Sequence, residues 1–400
     1  MNYTIEKVTT LIGARRYGNT DANISFILTD SRSLCFPEET LFFAIRTERN
    51  DGHNYIPELY GRGVRNFVVE AIPENWATLY PNSNFLKVVG TLEALQRLAE
   101  RHRDEFLIPI IGITGSNGKT MVKEWLYQLL SPEMIVTRSP RSYNSQIGVP
   151  LSVWLLNENT QIGVFEAGIS KPGEMLALRD IIQPTIGVFT SLGTAHQENF
   201  PSLEAKCLEK LKLFHDTQAI VYSEDDQVLN DCISAKNYKG ECLNWSAKDV
   251  HAAFFIKSIE KKDIETTVSY VWKEKVEGQY KLPFIDDASV ENSITCAVVS
   301  LHLGIDPAHL AERMAKLEPV AMRLEVKEGQ HGCTLINDSY NSDYNSLDIA
   351  LDFMNRRPDH KGRKRTLILS DILQSGESGK ELYNKVAFLC EKRGVEKFIG

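Results

Sequence analysis

Residues Gly112 to Leu130 read GITGSNGKTMVKEWLYQLL, with glycine at positions 112, 115 and 118, then Lys119-Thr120, then a helical pattern. The apolar run IPIIGIT (108–114) precedes it, so the stretch reads as strand, glycine turn and helix. That frame suits an anion: glycines let the backbone turn tightly and aim successive N–H groups at one point, where the helix dipole also favours negative charge. On this reading Gly115, Ser116, Asn117 and Gly118 form the cradle, Lys119 reaches the outer phosphates of ATP, and the Thr120 hydroxyl ligates Mg²⁺. The strict pattern G-x-x-x-x-G-K-[ST] asks for glycine where Ile113 stands, so the loop is a variant. The plainer alternative is a glycine-rich turn beside an unrelated Lys-Thr pair.

Outward from the loop, the runs IPIIGIT, IGVFEAG, IGVFTSLG and QAIVYS alternate with helical segments, the rhythm of βαβ units and a parallel sheet. IGVF occurs at 162–165 and again at 186–189, as expected for one right-handed crossover within a single sheet. Up to Phe106, short strand-like runs (NISFILTDSR, ETLFFAI, VRNFVVEAI, NFLKVV) and the helical TLEALQRLAERHRDEF read as a small α/β domain. Past LEPVAMR (317–323), the runs CTLINDSY, SLDIALDFMNRR and RTLILSD and a helix over 380–393 begin another α/β alternation, which stops at EKFIG. The expected fold is α/β in three domains: 1–106, a central 107–318 that binds ATP, and an incomplete 319–400. The whole reads as a fragment of a longer protein.

Composition narrows the function classes. No apolar run reaches the roughly 18 residues that span a bilayer, and the N-terminus lacks a basic stretch followed by an apolar one, so membrane insertion and secretion are not expected and the cytoplasm is. Seven scattered cysteines without a C-x-x-C pair read as reduced thiols. A net charge of -8 disfavours a nucleic-acid partner.

In open parallel sheets ligands gather beyond the carboxyl ends of the strands. Glu166 follows the first IGVF directly and His196 lies a few residues past the second, so both fall on the rim that carries the phosphate loop. A carboxylate there can complete the shell of Mg²⁺ and an imidazole can hold a second ion. A capping carboxylate and an ordinary loop histidine are the alternatives.

Taken in order, GITGSNGKT, SYNSQIGVPLSV, FEAGISKPGEM, SLGTAHQENFPSLEAKCLEKLKLF, ENSITCA, AMRLEV and INDSYNSD resemble the Mur ligases, the ATP-dependent amide ligases of peptidoglycan precursor synthesis. TDSRSLCFPEETLFFAIRTERNDGHNYI and NDSYNSD are most similar to the branch that adds a dipeptide; the D-N-P-R of the amino-acid-adding branch is absent. The resemblance implies a Rossmann-like third domain, and UDP-N-acetylmuramoyl-tripeptide and D-alanyl-D-alanine as substrates. It also implies an acyl-phosphate intermediate made with ATP and two Mg²⁺ ions.

It further implies roles for single residues. Lys210, 14 residues past His196, takes the place of a carbamylated lysine that ligates metal with Thr120, Glu166 and His196. Taken alone, Lys206, Lys210 and Lys212 read as a solvated basic helix face. Asn292 matches an adenine-reading asparagine, Arg323 a linker arginine near the phosphates and Asp338 an aspartate on the ribose. Asn144 falls near the reacting phosphate, though the family's neighbouring asparagine is Ser145 here. Ser31, Arg32, Asp51 and His53 match the UDP-sugar side, with Arg46-Thr47 in place of the commoner Lys-Gly. SDILQSGE departs from the family's G-D-M-x-E-L-G in the third domain. Some relatives continue into an alanine racemase domain. Competing expectations are a ligase on another substrate, such as folylpolyglutamate synthase, a phosphate-loop kinase or NTPase, and an inactive nucleotide-binding scaffold.

Overall fold

Alternating or unbroken apolar runs become strands here, and those with helical spacing become the helices that cover them. The computed structural model describes residues 2–48, 50–193, 197–262, 264–321, 324–339, 343–356, 364–372 and 378–400. The chain divides into two compact units: residues 1–108 with 137–163 and 180–182, and the remainder.

The first unit opens with α1 (Ile5–Ile12), capped by the Thr4 hydroxyl on Lys7 N–H, which buries Ile5, Val8 and Ile12 along one face. Its main sheet has five strands: β1 (Arg15–Tyr17), β2 (Phe26–Leu28), β3 (Thr40–Phe43), β4 (Asn66–Val69) and β5 (Asn84–Lys87). They pair in the order β1-β5-β4-β3-β2, parallel except for β1 against β5. Alternation splits β3 between two cores. Leu41 and Phe43 join Val68, Leu86 and the α2 (Thr91–Arg103) residues Leu95 and Leu98, while Phe42 joins Phe67 and Phe85 on the other face.

The second unit is built on a sheet running β13-β12-β11-β10-β9-β8-β6-β7, with the short strand Val136–Arg138 added beyond β7. Its strands are β6 (Ile110–Thr114), β7 (Ile162–Glu166), β8 (Ile186–Phe189), β9 (Ala219–Ser223), β10 (Glu241–Ser246), β11 (Phe254–Lys261), β12 (Thr266–Trp272) and β13 (Val276–Leu282). Every residue of β6, β7 and β8 is buried, as strands covered on both faces must be. The two IGVF strands do share this sheet, but β6 lies between them. Both therefore border the strand that feeds the phosphate loop.

From β8 to β11 neighbours are parallel, and β11, β12 and β13 then form an antiparallel meander. The sequence reading named no strand between 224 and 317, so this extension is an addition. The helices named below are α3 (Lys119–Leu130), α4 (Glu174–Ile182), α5 (Leu203–Lys210) and α6 (Asp287–His302). Towards the C-terminus, β14 (Glu325–Glu328) pairs antiparallel with β15 (Thr334–Asn337), and β16 (Thr366–Ile368) pairs parallel with β17 (Lys397–Ile399). Between them α7 (Tyr344–Arg356) and α8 (Gly379–Lys392) share a core of Leu347, Leu351, Leu382, Val386 and Leu389. Among the described residues, no helix is long and apolar enough to cross a membrane.

Candidate active site

The loop begins where β6 ends. Gly115 has φ 144° and Gly118 φ 85°, a region that glycine enters freely. Space excludes a side chain as well: a Cβ on Gly115 would meet Thr190 Oγ1 at 2.1 Å, and one on Gly118 would meet Asn292 Oδ1 at 2.4 Å. Gly112 is a correction to the sequence reading. It lies inside β6, paired in register with Gly187 of β8. A Cβ at Gly112 would meet Pro184 Cβ at 2.8 Å and Leu213 Cδ2 at 3.6 Å, and one at Gly187 would meet Phe214 Cδ1 at 2.5 Å. The two glycines make a bare floor on which the segment just past Lys210 rests. Gly112 thus serves packing rather than the anion cradle.

The segment after β8 braces the loop. Ser116 N–H donates to Ser191 O at 2.7 Å, Asn117 N–H to Ser191 Oγ at 3.2 Å, and the Ser116 hydroxyl to Gly193 O at 3.0 Å. Ser191 thus accepts from both amides. Lys119 folds back over the loop, its Nζ donating to Gly115 O at 2.8 Å and Ser116 O at 2.9 Å. One residue on, the Thr120 hydroxyl donates to Glu166 Oε2 at 3.1 Å.

Glu166 ends β7 with its side chain wholly buried, and its other oxygen lies 3.1 Å from Lys123 Nζ, which is equally buried. A buried carboxylate beside a hydroxyl is a fitting pair of hard oxygen donors for Mg²⁺. Among the described residues no cluster of three His, Cys, Asp or Glu gathers, and His196 lies outside them.

α5 supplies two amines to the same place. Ser202 caps it, accepting from Ala205 N–H at 3.1 Å. Lys206 and Lys210 then fall one turn apart on one face, 1% and 4% exposed. Lys210 Nζ donates to Gly115 O at 3.1 Å, the carbonyl that Lys119 also uses. Lys206 Nζ donates to Gly193 O and, at 3.2 Å, to Gln197 Oε1. Burial pushes the Lys210 amine well below its ordinary value, with the charges of Lys119 and Lys206 adding to the shift. Burial also lowers Lys206, to about 8, opposed by Asp343 and reinforced by Lys119.

The solvated basic face is therefore not what forms: of the three lysines only Lys212 is partly exposed, paired with Glu209 at 2.5 Å. Glu209 is itself buried and accepts from Gly173 N–H at 2.8 Å, tying α5 to the turn that starts α4. Sequence reasoning missed Lys123, Lys206 and Glu209 as members of this site. For Lys123 the signal was available: a lysine beside Val122 and one turn before Leu126 falls on the apolar face of α3.

Asn292, near the start of α6, is 9% exposed, with Oδ1 close over Gly118 and Nδ2 3.2 Å from Met121 Sδ. Asp338 lies past β15, where Oδ1 accepts from Leu324 N–H at 3.2 Å. Arg323 lies outside the described residues, as do 373–377 of SDILQSGE.

The remaining candidates belong to the first unit. Asn144 is partly buried before the short helix Gly148–Val153, whose Gly148 N–H is capped by Ser145 Oγ at 3.1 Å. Ser31 is buried and its carbonyl accepts from Arg62 at 2.7 Å, whereas the Arg32 side chain is 88% exposed, held by Asp30 at 2.7 Å. Asp51 accepts from His53 N–H at 3.0 Å, from His53 Nδ1 at 2.7 Å and from Arg46 Nε at 3.0 Å. Partial burial opposes ionisation of Asp51, and these bonds from His53 and Arg46 outweigh it and hold the carboxyl below its ordinary value. His53 Nε2 in turn accepts from Glu70 N–H at 3.0 Å. Asp51 and His53 thus form a turn-fixing network at the end of β3, with Gly52 against the backbone of Ala44.

Residues 113–300 match the Mur ligase middle domain, and residues 23–103 match the Mur ligase family, catalytic domain. A UDP-N-acetylmuramoyl-tripeptide--D-alanyl-D-alanine ligase of Borreliella burgdorferi is 30% identical over 339 residues, which cover 82% of this chain and 71% of the relative. The Bacillus subtilis protein of the same name is 28% identical over 360 residues, 88% of this chain and 74% of the relative. Among solved structures, MurF from Acinetobacter baumannii has a TM-score of 0.87 at 21% identity, covering 100% of this chain and 90% of that one. At that identity the likeness is one of fold.

Proposed function

The chain belongs to the Mur ligase family, and from that premise we propose that it joins D-alanyl-D-alanine to UDP-N-acetylmuramoyl-tripeptide at the expense of ATP. A free carboxylate acylates poorly because its leaving group is oxide. Transfer of the γ-phosphoryl group to a carboxylate oxygen breaks the bond to ADP and makes an acyl phosphate. The dipeptide amine then attacks the acyl carbon, phosphate departs and the amine loses a proton. The enzyme's share is alignment and charge neutralisation.

The observation that carries this reading is the convergence of Lys119 and Lys210 on Gly115 O, beside the Thr120–Glu166 pair. In the proposed roles, Gly115, Ser116, Asn117, Gly118 and Lys119 hold the phosphates, Asn292 reads adenine and Asp338 takes the ribose. Arg323 is assigned to the phosphates. Asn144 assists near the reacting group, and Ser31, Arg32, Asp51 and His53 serve the UDP-sugar. Thr120, Glu166, His196 and a carbamylated Lys210 would hold Mg²⁺, which supplies charge neutralisation between the two anions when bound. Carbamylation joins CO₂ to a neutral amine with loss of a proton, and the depressed basicity of Lys210 supports it. In this reading the domains run 1–106, 107–318 and 319–400, and the enzyme works in the cytoplasm.

Phosphate release measured with and without each co-substrate tests the reaction. Release that requires the UDP-linked tripeptide and the dipeptide together is expected. Release from ATP alone, at the same rate, would mark an NTPase instead.

A further inference from the structure

We infer that Lys123 is a positioning residue of this site: it fixes the Glu166 carboxylate against Thr120 and thereby sets the affinity for the divalent cation. The inference rests on the proposal that Glu166 and Thr120 hold that cation.

Lys123 sits in the first turns of α3 and is fully buried, an unusual place for an ammonium group. Taking such a charge from water is costly, and a buried ion pair is by itself weak evidence of stability, since an apolar pair of similar volume often serves as well. A leucine would continue the apolar face formed by Val122, Leu126 and Leu129. What the lysine adds is geometry. Residues 120 and 123 are three apart, hence on one helix face, and from there each meets one oxygen of Glu166: Thr120 Oγ1 donates a hydrogen bond to Oε2 and Lys123 Nζ makes an ion pair with Oε1, both at 3.1 Å. One face of a single rigid element thus contacts both carboxylate oxygens, one by a hydrogen bond and one by charge. Nζ is anchored in turn by Glu124 Oε1 at 3.0 Å, a side chain 22% exposed, so Lys123 spans from the rim of the helix to its buried face. Loss of a partner that orients a metal ligand typically costs about 10–100-fold in metal affinity or activity.

Coulomb's law alone gives the opposite sign. A cation beside Glu166 repels Mg²⁺, so a lysine that merely competed for the carboxylate would, on removal, leave metal binding tighter. Positioning predicts looser binding. Mn²⁺ titration followed by electron paramagnetic resonance, on the whole chain with ADP, separates the two without using turnover. For Lys123→Met, Mn²⁺ affinity should fall by about 10–100-fold, while Lys123→Gln, which keeps a donor without the charge, should recover part of the loss.

Glu166→Gln is the control for the underlying proposal. If it binds Mn²⁺ like the parent, Glu166 is no ligand, and both readings fall. If Glu166→Gln weakens binding while Lys123→Met binds as well as or better than the parent, only the role of Lys123 is overturned. Thermal melts without metal accompany each variant. Should neither Lys123 variant fold, the lysine is a structural partner of a buried charge and the inference fails.

Discussion

Lys210 and Lys119 share one acceptor, Gly115 O, at 3.1 and 2.8 Å, and two amines so close cannot both stay charged cheaply. Burial lowers the basicity of Lys210, in the direction of the neutral amine that CO₂ requires. Lys210→Ala should therefore lower turnover by about 10²–10³-fold while calorimetry shows ADP binding nearly unchanged. Short carboxylic acids should restore part of the rate by standing in for the missing carbamate. Unaltered amide formation would remove Lys210 from the mechanism. Gly118 makes a second case. An alanine there meets both a positive φ and Asn292 Oδ1, so Gly118→Ala should weaken ADP by about tenfold, roughly 1.4 kcal/mol. The loss should shrink in an Asn292→Ala background, because the two residues compete for one space.

Among the elements, α5 shows how the sheet places chemistry at a distance. Leu213 and Phe214, just beyond Lys210, rest on Gly112 and Gly187, and a methyl group at 187 would sit 2.5 Å from the Phe214 ring. Gly187→Ala should cost about 1–3 kcal/mol by overpacking, read from chemical denaturation. It should also lower kcat more than it raises the KM for ATP, since Lys210 moves and the loop does not. The phosphate loop, the central strands and the rim position of Glu166 were legible in the sequence, because glycine spacing and unbroken apolar runs are local signals. The burial of Lys206 and Lys210 was not. Helical spacing puts them on one face but cannot say whether that face meets water or the backbone carbonyls of Gly115 and Gly193. The meander over 254–282 was passed over for a related reason: its strands mix Lys, Glu and Ser with apolar residues, as an antiparallel sheet with an exposed face does.

The molecule as a whole couples its stability to pH through the first unit. His102 is 1% exposed, with Nδ1 2.8 Å from the Tyr3 hydroxyl and Nε2 3.0 Å from Leu156 O, and burial depresses it to about 4. Below the ordinary value of 6.5 the unfolded chain takes a proton that the folded one refuses, so stability should fall as pH drops from about 6.5 to about 4. The loss approaches about 3 kcal/mol. Fluorescence of Trp154, whose ring lies 4.7 Å from that of His102, can follow it. His102→Gln should flatten the dependence in this window, and an unchanged slope would assign it to other groups. For the reaction, the most direct measurement follows an oxygen atom. With a tripeptide substrate carrying heavy oxygen in its terminal carboxylate, ATP and D-alanyl-D-alanine, the released phosphate should carry the label in proportion to amide formed, because the carboxylate oxygen leaves with phosphorus. Amide formation accompanied by unlabelled phosphate would contradict the acyl-phosphate account.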